Sequence, residues 1–395
     1  MKKLVLAYSG GLDTSYCAKS LSEQGYEVHA VSVNTGGFSK EEIAEIKEKA
    51  LALGAKNYVS IDAVENFYNK VVKYLIFGNV LKNNTYPLSV SAERIVQAIE
   101  IVNYAKENGA SYIAHGSTGA GNDQVRFDMI FQILAPEIEI ITPIRDQQLS
   151  RQQEIDYLKS KGIHMSWEKA KYSVNKGLWG TSVGGDETLT SHLPLPSEAY
   201  PSQLTNMGTQ RLKLSFTKGE LTAIDGKSDS PVALIEKLNS IASQFAIGRD
   251  IHVGDTIIGI KGRVGFEAAA PLIIIKAHHT LEKHALTKWQ QQHKEYLSNW
   301  YGMLLHEGNY LDEVMRNIET FLTDTQKNVT GDVFVSLHPY RFIIEGIQSA
   351  HDLMNAKFGS YGEMNKGWTA EQAKGFIKLS ANAVRIHQSV NNSEK

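Results

Sequence analysis

The first segment that could do chemistry is the string SGGLDTS at residues 9–15, which directly follows a short apolar run, Leu4 to Tyr8. Its adjacent glycines allow the backbone to turn tightly and to approach a ligand closely. Free N–H groups at a helix start carry partial positive charge and favour phosphate, and three hydroxyl side chains add donors. No lysine follows the glycines and the pattern is not GxGxxG, so the string is neither a Walker A loop nor a dinucleotide fingerprint. We predict a phosphate-binding loop; the alternative is a plain strand-to-helix turn capped by Asp13.

A second string, HGSTGAGNDQVRF at residues 115–127, follows a predicted strand, Ser111 to Ala114. Its three glycines again permit close approach of the backbone to a ligand. Asn122, Asp123 and Arg126 offer an amide, a carboxylate and a guanidinium, a mixture that suits a zwitterionic ligand. The alternative is a solvated glycine-rich turn with a surface ion pair between Asp123 and Arg126.

These strings need a scaffold that brings the ends of different strands together. Over residues 1–165, strand-like and helix-like patterns alternate, which predicts an α/β nucleotide-binding domain built on a doubly wound parallel sheet. Ligands of such sheets bind outside the carboxyl ends of the strands, so both strings should meet at one edge. The predicted strands are Leu4–Tyr8, Val28–Val33, Tyr58–Ile61, Ser111–Ala114 and Ile138–Ile141, and the predicted helices are Leu12–Leu21, Lys40–Leu53 and Ala92–Lys106.

The alternation ends near residue 165, and the remaining patterns predict an α+β domain over residues 166–364 and a C-terminal helix within 365–395. Apolar residues on one face of that helix, Phe376 and Ile377 among them, suggest docking onto another subunit. Other predicted elements are a long ordered loop or linker over 172–210, a hairpin over 212–224, a helix at Pro231–Phe245, strands at Ile257–Ile260 and Leu272–Ile275, and mostly helices over 281–324.

Composition excludes several classes of protein. Lys plus Arg number 41 and Asp plus Glu 43, a net charge of −2 that predicts no nucleic-acid or anionic-membrane partner. No apolar run approaches the ~20 residues of a membrane span, and the N-terminal run is shorter than that of a signal peptide. The single cysteine, Cys17, excludes an internal disulfide or a cysteine zinc site. We predict a cytoplasmic protein with Cys17 packed in its core, and we interpret His278, His279 and His284 as structural or exposed histidines rather than metal ligands.

The first string, after its strand, resembles the PP-loop of N-type ATP pyrophosphatases, which cleave ATP between the α and β phosphates. That motif alone leaves open GMP, NAD, asparagine and argininosuccinate synthases and tRNA-modifying enzymes. The second string resembles the HGxTGxGNDQxRFE signature of argininosuccinate synthase, and the similarity extends over most of the chain. Further similar segments are Tyr86–Ser91 with Arg94, Tyr172–Ser173, Leu178–Ser182, Ile247–Arg249 and Gly259–Lys261.

The resemblance implies a ligase that joins citrulline and aspartate through a citrulline-adenylate, releasing AMP and pyrophosphate, in arginine biosynthesis. It implies ATP with Mg²⁺ as substrate, no prosthetic group, no metal site of the protein's own, and a homotetramer. Asp13 and Asp123 are the catalytic candidates, Asp123 as the group that orients or deprotonates the aspartate amine. The implied ATP contacts are Ala7, Tyr8, Ser9, Gly10, Gly11, Leu12, Asp13, Thr14, Ser15, Val33 and Gly116; those for aspartate are Thr118, Asn122 and Asp123; those for citrulline are Tyr86, Ser91, Asn122, Arg126, Ser173 and Ser182.

The chain departs from the family pattern at several positions. Ala120 stands where the family has Lys, and Asn175 and Gly177 stand where it has Asp and Asn. Gly254 and Phe266 stand where it has a citrulline-binding Glu and Tyr, so an acid and a hydroxyl are missing together.

The loss of the acid and the hydroxyl at Gly254 and Phe266 has two interpretations. Either nearby groups, Asp255, Glu267 or water, compensate, or the substrate is an N-acylated citrulline whose acyl group uses the room at Gly254. Two more distant alternatives are a tRNA-modifying PP-loop enzyme and a nonenzymatic nucleotide sensor. A tRNA-modifying enzyme would need a basic face for nucleic acid and often has paired cysteines.

Overall fold

The computed structural model describes residues 2–165, 171–355, 361–362 and 367–392. The predicted domain boundaries fall at residue 166 and at residues 364 and 365, which lie outside the described residues. Among the helices that are described, none is both long and apolar enough to cross a bilayer.

The N-terminal half is a parallel sheet with helices on both faces, which confirms the predicted doubly wound α/β architecture. Its elements are β1 (Lys2–Ala7), α1 (Leu12–Glu23), β2 (Tyr26–Asn34), α2 (Lys40–Ala52), β3 (Asn57–Asp62), α3 (Val64–Phe67), a π-helical segment (Tyr68–Val72), α4 (Lys73–Phe77), α5 (Ser89–Glu107), β4 (Tyr112–Ala114), α6 (Asp123–Leu134), β5 (Glu139–Ile141), α7 (Pro143–Asp146) and α8 (Arg151–Ser160). The central strand β1 alternates between two cores through its fully buried middle residues: Leu4 and Leu6 pack on one side and Val5 on the other.

The strand order β3-β2-β1-β4-β5 places a topological switch point between β1 and β4. These two strands pair in parallel, from Leu4 opposite Tyr112 to Leu6 opposite Ala114. From β1 the sheet extends one way through β2, and from β4 it extends the other way to β5, which opens a crevice at their carboxyl ends. Each of the two predicted loops leaves one of these strands, so the topology makes the loops neighbours.

The C-terminal half is mixed α and β, built on two antiparallel sheets of order β10-β9-β8-β13-β14 and β11-β12-β7-β6. Its elements are β6 (Ser173–Gly177), β7 (Gly180–Gly184), β8 (Gln210–Thr217), β9 (Glu220–Ile224), β10 (Lys227–Ser228), α9 (Pro231–Ser243), β11 (Arg249–Asp255), β12 (Lys261–Glu267), α10 (Ala269–Ala285), α11 (Lys288–His306), α12 (Glu313–Thr325), β13 (Gly331–His338), β14 (Arg341–Gln348), α13 (Ala370–Ser380) and α14 (Asn382–Asn391). Short 3₁₀ segments lie at Asp186–Leu189, Ser197–Ala199, Asn309–Leu311 and Leu353–Asn355.

The hairpin over 212–224 and the helix beginning at Pro231 are confirmed, but two predicted strands are wrong. Ile257–Ile260 forms the turn between β11 and β12, closed by a hydrogen bond from Thr256 N to Ile260 O at 2.8 Å. Leu272–Ile275 lies inside α10, whose residues are buried around most of its circumference, so its apolar run resembles a buried strand. The predicted loop over 172–210 is wrong in part, because it contains the β6–β7 hairpin.

The histidines and the cysteine that the sequence set aside are structural where they are buried. His278 pairs through Nδ1 with Asn79 Oδ1 at 2.6 Å and through Nε2 with Gln326 Oε1 at 2.8 Å. His284 Nδ1 lies 3.0 Å from Asp352 Oδ1. Cys17 is completely buried, and burial raises the pKa of its thiol, as expected of a packed core cysteine.

Candidate active site

The two predicted loops pack directly against each other at the switch point. Gly10 has a φ of +79°, a conformation that favours glycine, and the chain then enters α1 with Gly11 as its N-cap. A Cβ at Gly116 would lie 3.2 Å from the backbone of both Asp13 and Thr14, so the second loop touches the first turn of α1 at a position where a side chain would be tightly packed. Gly11 and Asn122 consequently line one cavity of about 1030 Å³.

Most of the predicted site residues line this cavity. Gly10 and Ser15 do not: the carbonyl of Gly10 accepts from Lys49 Nζ at 2.6 Å, and the fully buried Ser15 hydroxyl faces Tyr8 Oη at 3.5 Å. The structure therefore does not bring the Ser15 hydroxyl to the cavity. Those that line it are Ala7, Tyr8, Ser9, Gly11, Leu12, Asp13, Thr14, Val33, Tyr86, Ser91, Gly116, Thr118, Asn122, Asp123, Arg126, Ser173 and Ser182.

Asp123, in the first turn of α6, is held between two guanidinium groups. Arg94 Nε donates to its Oδ2 at 3.0 Å, and an Nη of Arg126 donates to its Oδ1 at 2.9 Å. Burial alone would raise the pKa of this carboxyl, but the two positive charges outweigh burial and lower the pKa to about 2. Asp123 is therefore a fixed carboxylate at neutral pH, suited to accept hydrogen bonds from an ammonium group.

Arg126 itself is nearly fully buried, and the end of α11 fixes its orientation. Its Nε donates to the His306 carbonyl at 2.9 Å, and its other Nη lies 3.3 Å from His306 Nδ1. Burial, with the charge of Arg126, holds the pKa of His306 far below its usual range, so the imidazole is neutral. The guanidinium therefore lines the cavity as a permanent cation that can hold a carboxylate.

Glu93 lines the same cavity and was missed by the sequence reasoning, which singled out only its neighbour Arg94. Its side chain accepts from Thr35 Oγ1 at 2.8 Å and from Arg94 Nη at 2.9 Å. Burial raises the pKa of Glu93 to about 7 in spite of the charge of Arg94. Any side chain at Gly177 would collide with this carboxyl group, which explains why glycine stands there. The only signal in the sequence was an acidic residue next to Arg94 near the start of the predicted helix.

A second acid, Glu154 on α8, lies behind the first loop. It is almost fully buried, and its Oε2 has no hydrogen-bond partner in the described part of the chain. Burial and the nearby carboxylate of Asp13 raise the pKa of Glu154. The glycine-rich loop is therefore backed by a carboxyl group that favours its protonated form.

The positions that depart from the family pattern lie together on β11 and β12. Phe266 is fully buried with its ring 5.3 Å from that of Tyr86, so it supports Tyr86 and does not line the cavity. Gly254 does line it, but a Cβ there would lie 2.6 Å from Nε2 of His252. The imidazole thus takes up part of the room predicted for an acyl group beside Gly254.

The two acids considered as substitutes at this end of the cavity are both engaged elsewhere. The nearly buried Glu267 accepts from Arg249 Nε at 3.1 Å. Asp255 lines the rim and is mostly exposed, with its carboxylate 2.6 Å from Lys261 Nζ. Neither carboxylate is placed as a substitute for the missing Glu.

Two family models match the chain: the Arginosuccinate synthase N-terminal HUP domain over residues 3–164 and the Arginosuccinate synthase C-terminal domain over residues 172–387. An argininosuccinate synthase of Methanocaldococcus jannaschii is 38% identical over 363 residues, 91% of each chain. One of Xanthomonas campestris is 35% identical over 99% of each chain, and one of Dictyoglomus turgidum is 36% identical over 96% of this chain and 95% of its own. The chain therefore belongs to the argininosuccinate synthase family, ligases that use ATP to join citrulline and aspartate.

Proposed function

We propose that the cavity at the switch point holds ATP, aspartate and citrulline together and aligns them for two successive displacements. The observation that carries this proposal is the contact of the two loops, in which the backbone at Gly116 packs against Asp13 and Thr14. A loop suited to a triphosphate and a loop suited to an amino acid thereby share one cavity.

ATP binds along the first loop. The N–H groups at the start of α1 and the hydroxyls of Ser9 and Thr14, which lie 3.3 Å apart, hold the phosphates, while Val33 on β2 contacts the adenine. Mg²⁺ enters as part of the nucleotide substrate, and Asp13 offers a carboxylate oxygen of the kind that this ion prefers. Lys176 of β6 lines the cavity and supplies a cation for the departing pyrophosphate.

Aspartate binds at the second loop, and citrulline binds between that loop and the C-terminal half. Thr118, Asn122 and Asp123 contact aspartate, with Asp123 orienting the amine. The low pKa of Asp123 argues against a role as general base, because so weak a base holds a proton poorly near neutral pH. Arg126 holds the citrulline carboxylate, and the other citrulline contacts are Tyr86, Ser91, Asn122, Ser173 and Ser182.

The chemistry needs alignment more than covalent participation of the protein. The ureido oxygen of citrulline attacks the α-phosphorus of ATP, the bond to the β-phosphate oxygen breaks, and pyrophosphate leaves. The aspartate nitrogen, after giving up one proton, attacks the ureido carbon and then loses a second proton, and AMP leaves with the former ureido oxygen. Argininosuccinate remains.

The transfer of that oxygen provides the test. With citrulline labelled by ¹⁸O in its ureido group, we expect argininosuccinate and AMP in equal amounts, with the label on the AMP phosphate. Pyrophosphate release over many turnovers should require both amino acids. Release that ignores citrulline and aspartate, or requires a tRNA, would overturn the proposal, and nucleotide binding without turnover would indicate a sensor.

We also propose a homotetramer assembled through the C-terminal segment, 365–395, with residues 1–165 and 166–364 as the nucleotide-binding and synthetase domains. Helices α13 and α14 bury none of their side chains, and Phe376, Ile377 and Ile386 are all more than 60% exposed. An apolar stripe on helices of this kind supports docking onto other copies of the chain. The requirement for ATP and aspartate supports a cytoplasmic location.

A further inference from the structure

His252 sits on β11 with its ring held in the wall of the cavity. The residue is 6% exposed, and its imidazole stacks on Tyr86 with the ring centroids 5.1 Å apart and the planes 27° apart. Neither ring nitrogen has a hydrogen-bond partner among the described residues, and Nδ1 is one of few buried side-chain atoms without one. Nδ1 is closed off within the fold, whereas Nε2 faces the position of Gly254 in the cavity lining, so Nε2 is the nitrogen whose missing partner a bound ligand can supply.

The strand geometry explains how His252 reaches the place of the missing acid. Residues 252 and 254 lie two apart on one strand and share its buried face. With no side chain at Gly254, the imidazole leans over that position, and Nε2 approaches to 2.6 Å of where a Cβ would be. The family pattern expects the citrulline-binding Glu at this point, so the acceptor that residue 254 lacks can come from residue 252.

We propose that His252 determines specificity at the α-amino end of the citrulline subsite, where its neutral imidazole accepts a hydrogen bond from the ammonium group of free citrulline. This inference rests on the proposed function. It assigns to an imidazole the acceptor that a carboxylate supplies in the family pattern.

The surrounding charges fit a neutral imidazole. Burial lowers the pKa of His252, and the positive charge of Lys82 lowers it further, so one ring nitrogen carries a lone pair at neutral pH. The positive charge of Lys82 is partly compensated by the carboxylates of Asp255 and Glu307, and Arg126 is paired with Asp123. The charged or titratable groups that face His252 or its neighbours are Lys82, Arg126, His306, Asp255 and Glu307.

The test compares citrulline with two analogues: its deamino form, which has no α-nitrogen, and N-acetylcitrulline, which has no positive charge. We expect His252→Ala to raise the KM for citrulline about 10- to 100-fold with a smaller change in kcat, and to leave the KM values for ATP and aspartate nearly unchanged. The variant should also lose the preference for citrulline over the deamino analogue. Thermal unfolding of each variant monitors folding.

A rescue variant and a pH profile exclude a merely structural role. The double variant His252→Ala, Gly254→Glu replaces the imidazole with the family's acid and should recover most of the citrulline affinity. In the unsubstituted protein, the KM for citrulline should rise as pH falls through the pKa of His252, because the imidazolium has no acceptor and repels ammonium. The deamino analogue should show no such rise.

Three results would overturn the inference: equal or better turnover of N-acetylcitrulline, unchanged discrimination in His252→Ala, or a pH-independent KM for citrulline. Each of these results differs from failure of the proposed function. In that case neither citrulline nor either of its two analogues would support aspartate-dependent release of pyrophosphate.

Discussion

Arg94 Nε donates to Asp123 Oδ2 at 3.0 Å, an ion pair that joins the second turn of α5 to the first turn of α6 on the wall of the cavity. The same guanidinium donates to Glu93, and Arg126 closes the other side of Asp123. Because each carboxylate oxygen of Asp123 is engaged by a guanidinium, its side chain is oriented before substrate arrives. Such pre-orientation lowers the cost of binding a charged amine in a defined position.

Asp123→Asn should separate binding from proton transfer. We expect the KM for aspartate to rise at least tenfold, since an amide cannot offer a charge-assisted hydrogen bond, while kcat changes only a few-fold. The pH dependence of kcat between pH 6 and 9 should be unchanged, because the pKa of Asp123 lies near 2. A large fall in kcat with loss of an acidic limb from the profile would instead make Asp123 the base.

Thr14 and Ser15 are adjacent hydroxyl residues in the first loop, and only Thr14 lines the cavity. Thr14→Ala should raise the KM for ATP several-fold, because a hydroxyl donor to phosphate is lost. Ser15→Ala is the matched control: its hydroxyl lies in the core beside Tyr8, so the KM for ATP should change less than twofold. Equal effects of the two substitutions would show that the loop acts through its fold and not through the Thr14 hydroxyl.

The two loops could be predicted because their signals are local. Glycines and hydroxyls directly after an apolar strand specify a turn and its ligand chemistry within a few residues, and both loops line the same cavity. The alternation of strands and helices was likewise enough for the doubly wound sheet. The pairing of β1 with β4 was not predicted, since strand order depends on contacts more than one hundred residues apart.

The residues that sequence reasoning missed acquire their roles through packing. His252 becomes part of the cavity only because β11 folds beside Tyr86, more than one hundred and sixty residues earlier in the chain. Glu93 becomes a cavity residue because a β-hairpin bearing Gly177 crosses α5. The wrong strand at Leu272–Ile275 has a related cause: a helix buried on most sides lacks the amphipathic period that would identify it.

Glu154 should make the free energy of unfolding fall as pH rises. Its folded pKa is raised above its unfolded value, so its stabilising contribution is present at low pH and is lost as pH rises through the folded pKa. Between pH 5.5 and pH 9, the free energy of unfolding should fall by about 1–2 kcal/mol more in the unsubstituted protein than in Glu154→Gln. Urea unfolding at both pH values measures this difference.

The control for that experiment is Asp156→Asn, an exposed acid on the same helix that accepts from Gln152 Nε2 at 2.8 Å. Its substitution should leave the pH dependence of unfolding unchanged. If Glu154→Gln also leaves it unchanged, the buried carboxyl does not retain its proton in the folded state.

Removal of residues 369–395 should weaken assembly and leave the cavity intact. The deleted segment contains α13 and α14, whose apolar side chains are exposed in the single chain, and the cavity lining lies wholly upstream of it. Sedimentation or light scattering should show a species smaller than the full-length assembly. The KM values of the shortened protein for ATP and citrulline should stay close to those of the full-length protein. A milder variant, Phe376→Glu with Ile377→Glu, should have the same effect, because charges on the apolar face cannot be buried without partners. If the truncated protein and the double variant both keep the oligomeric state of the full-length protein, the tetramer contact lies on another surface.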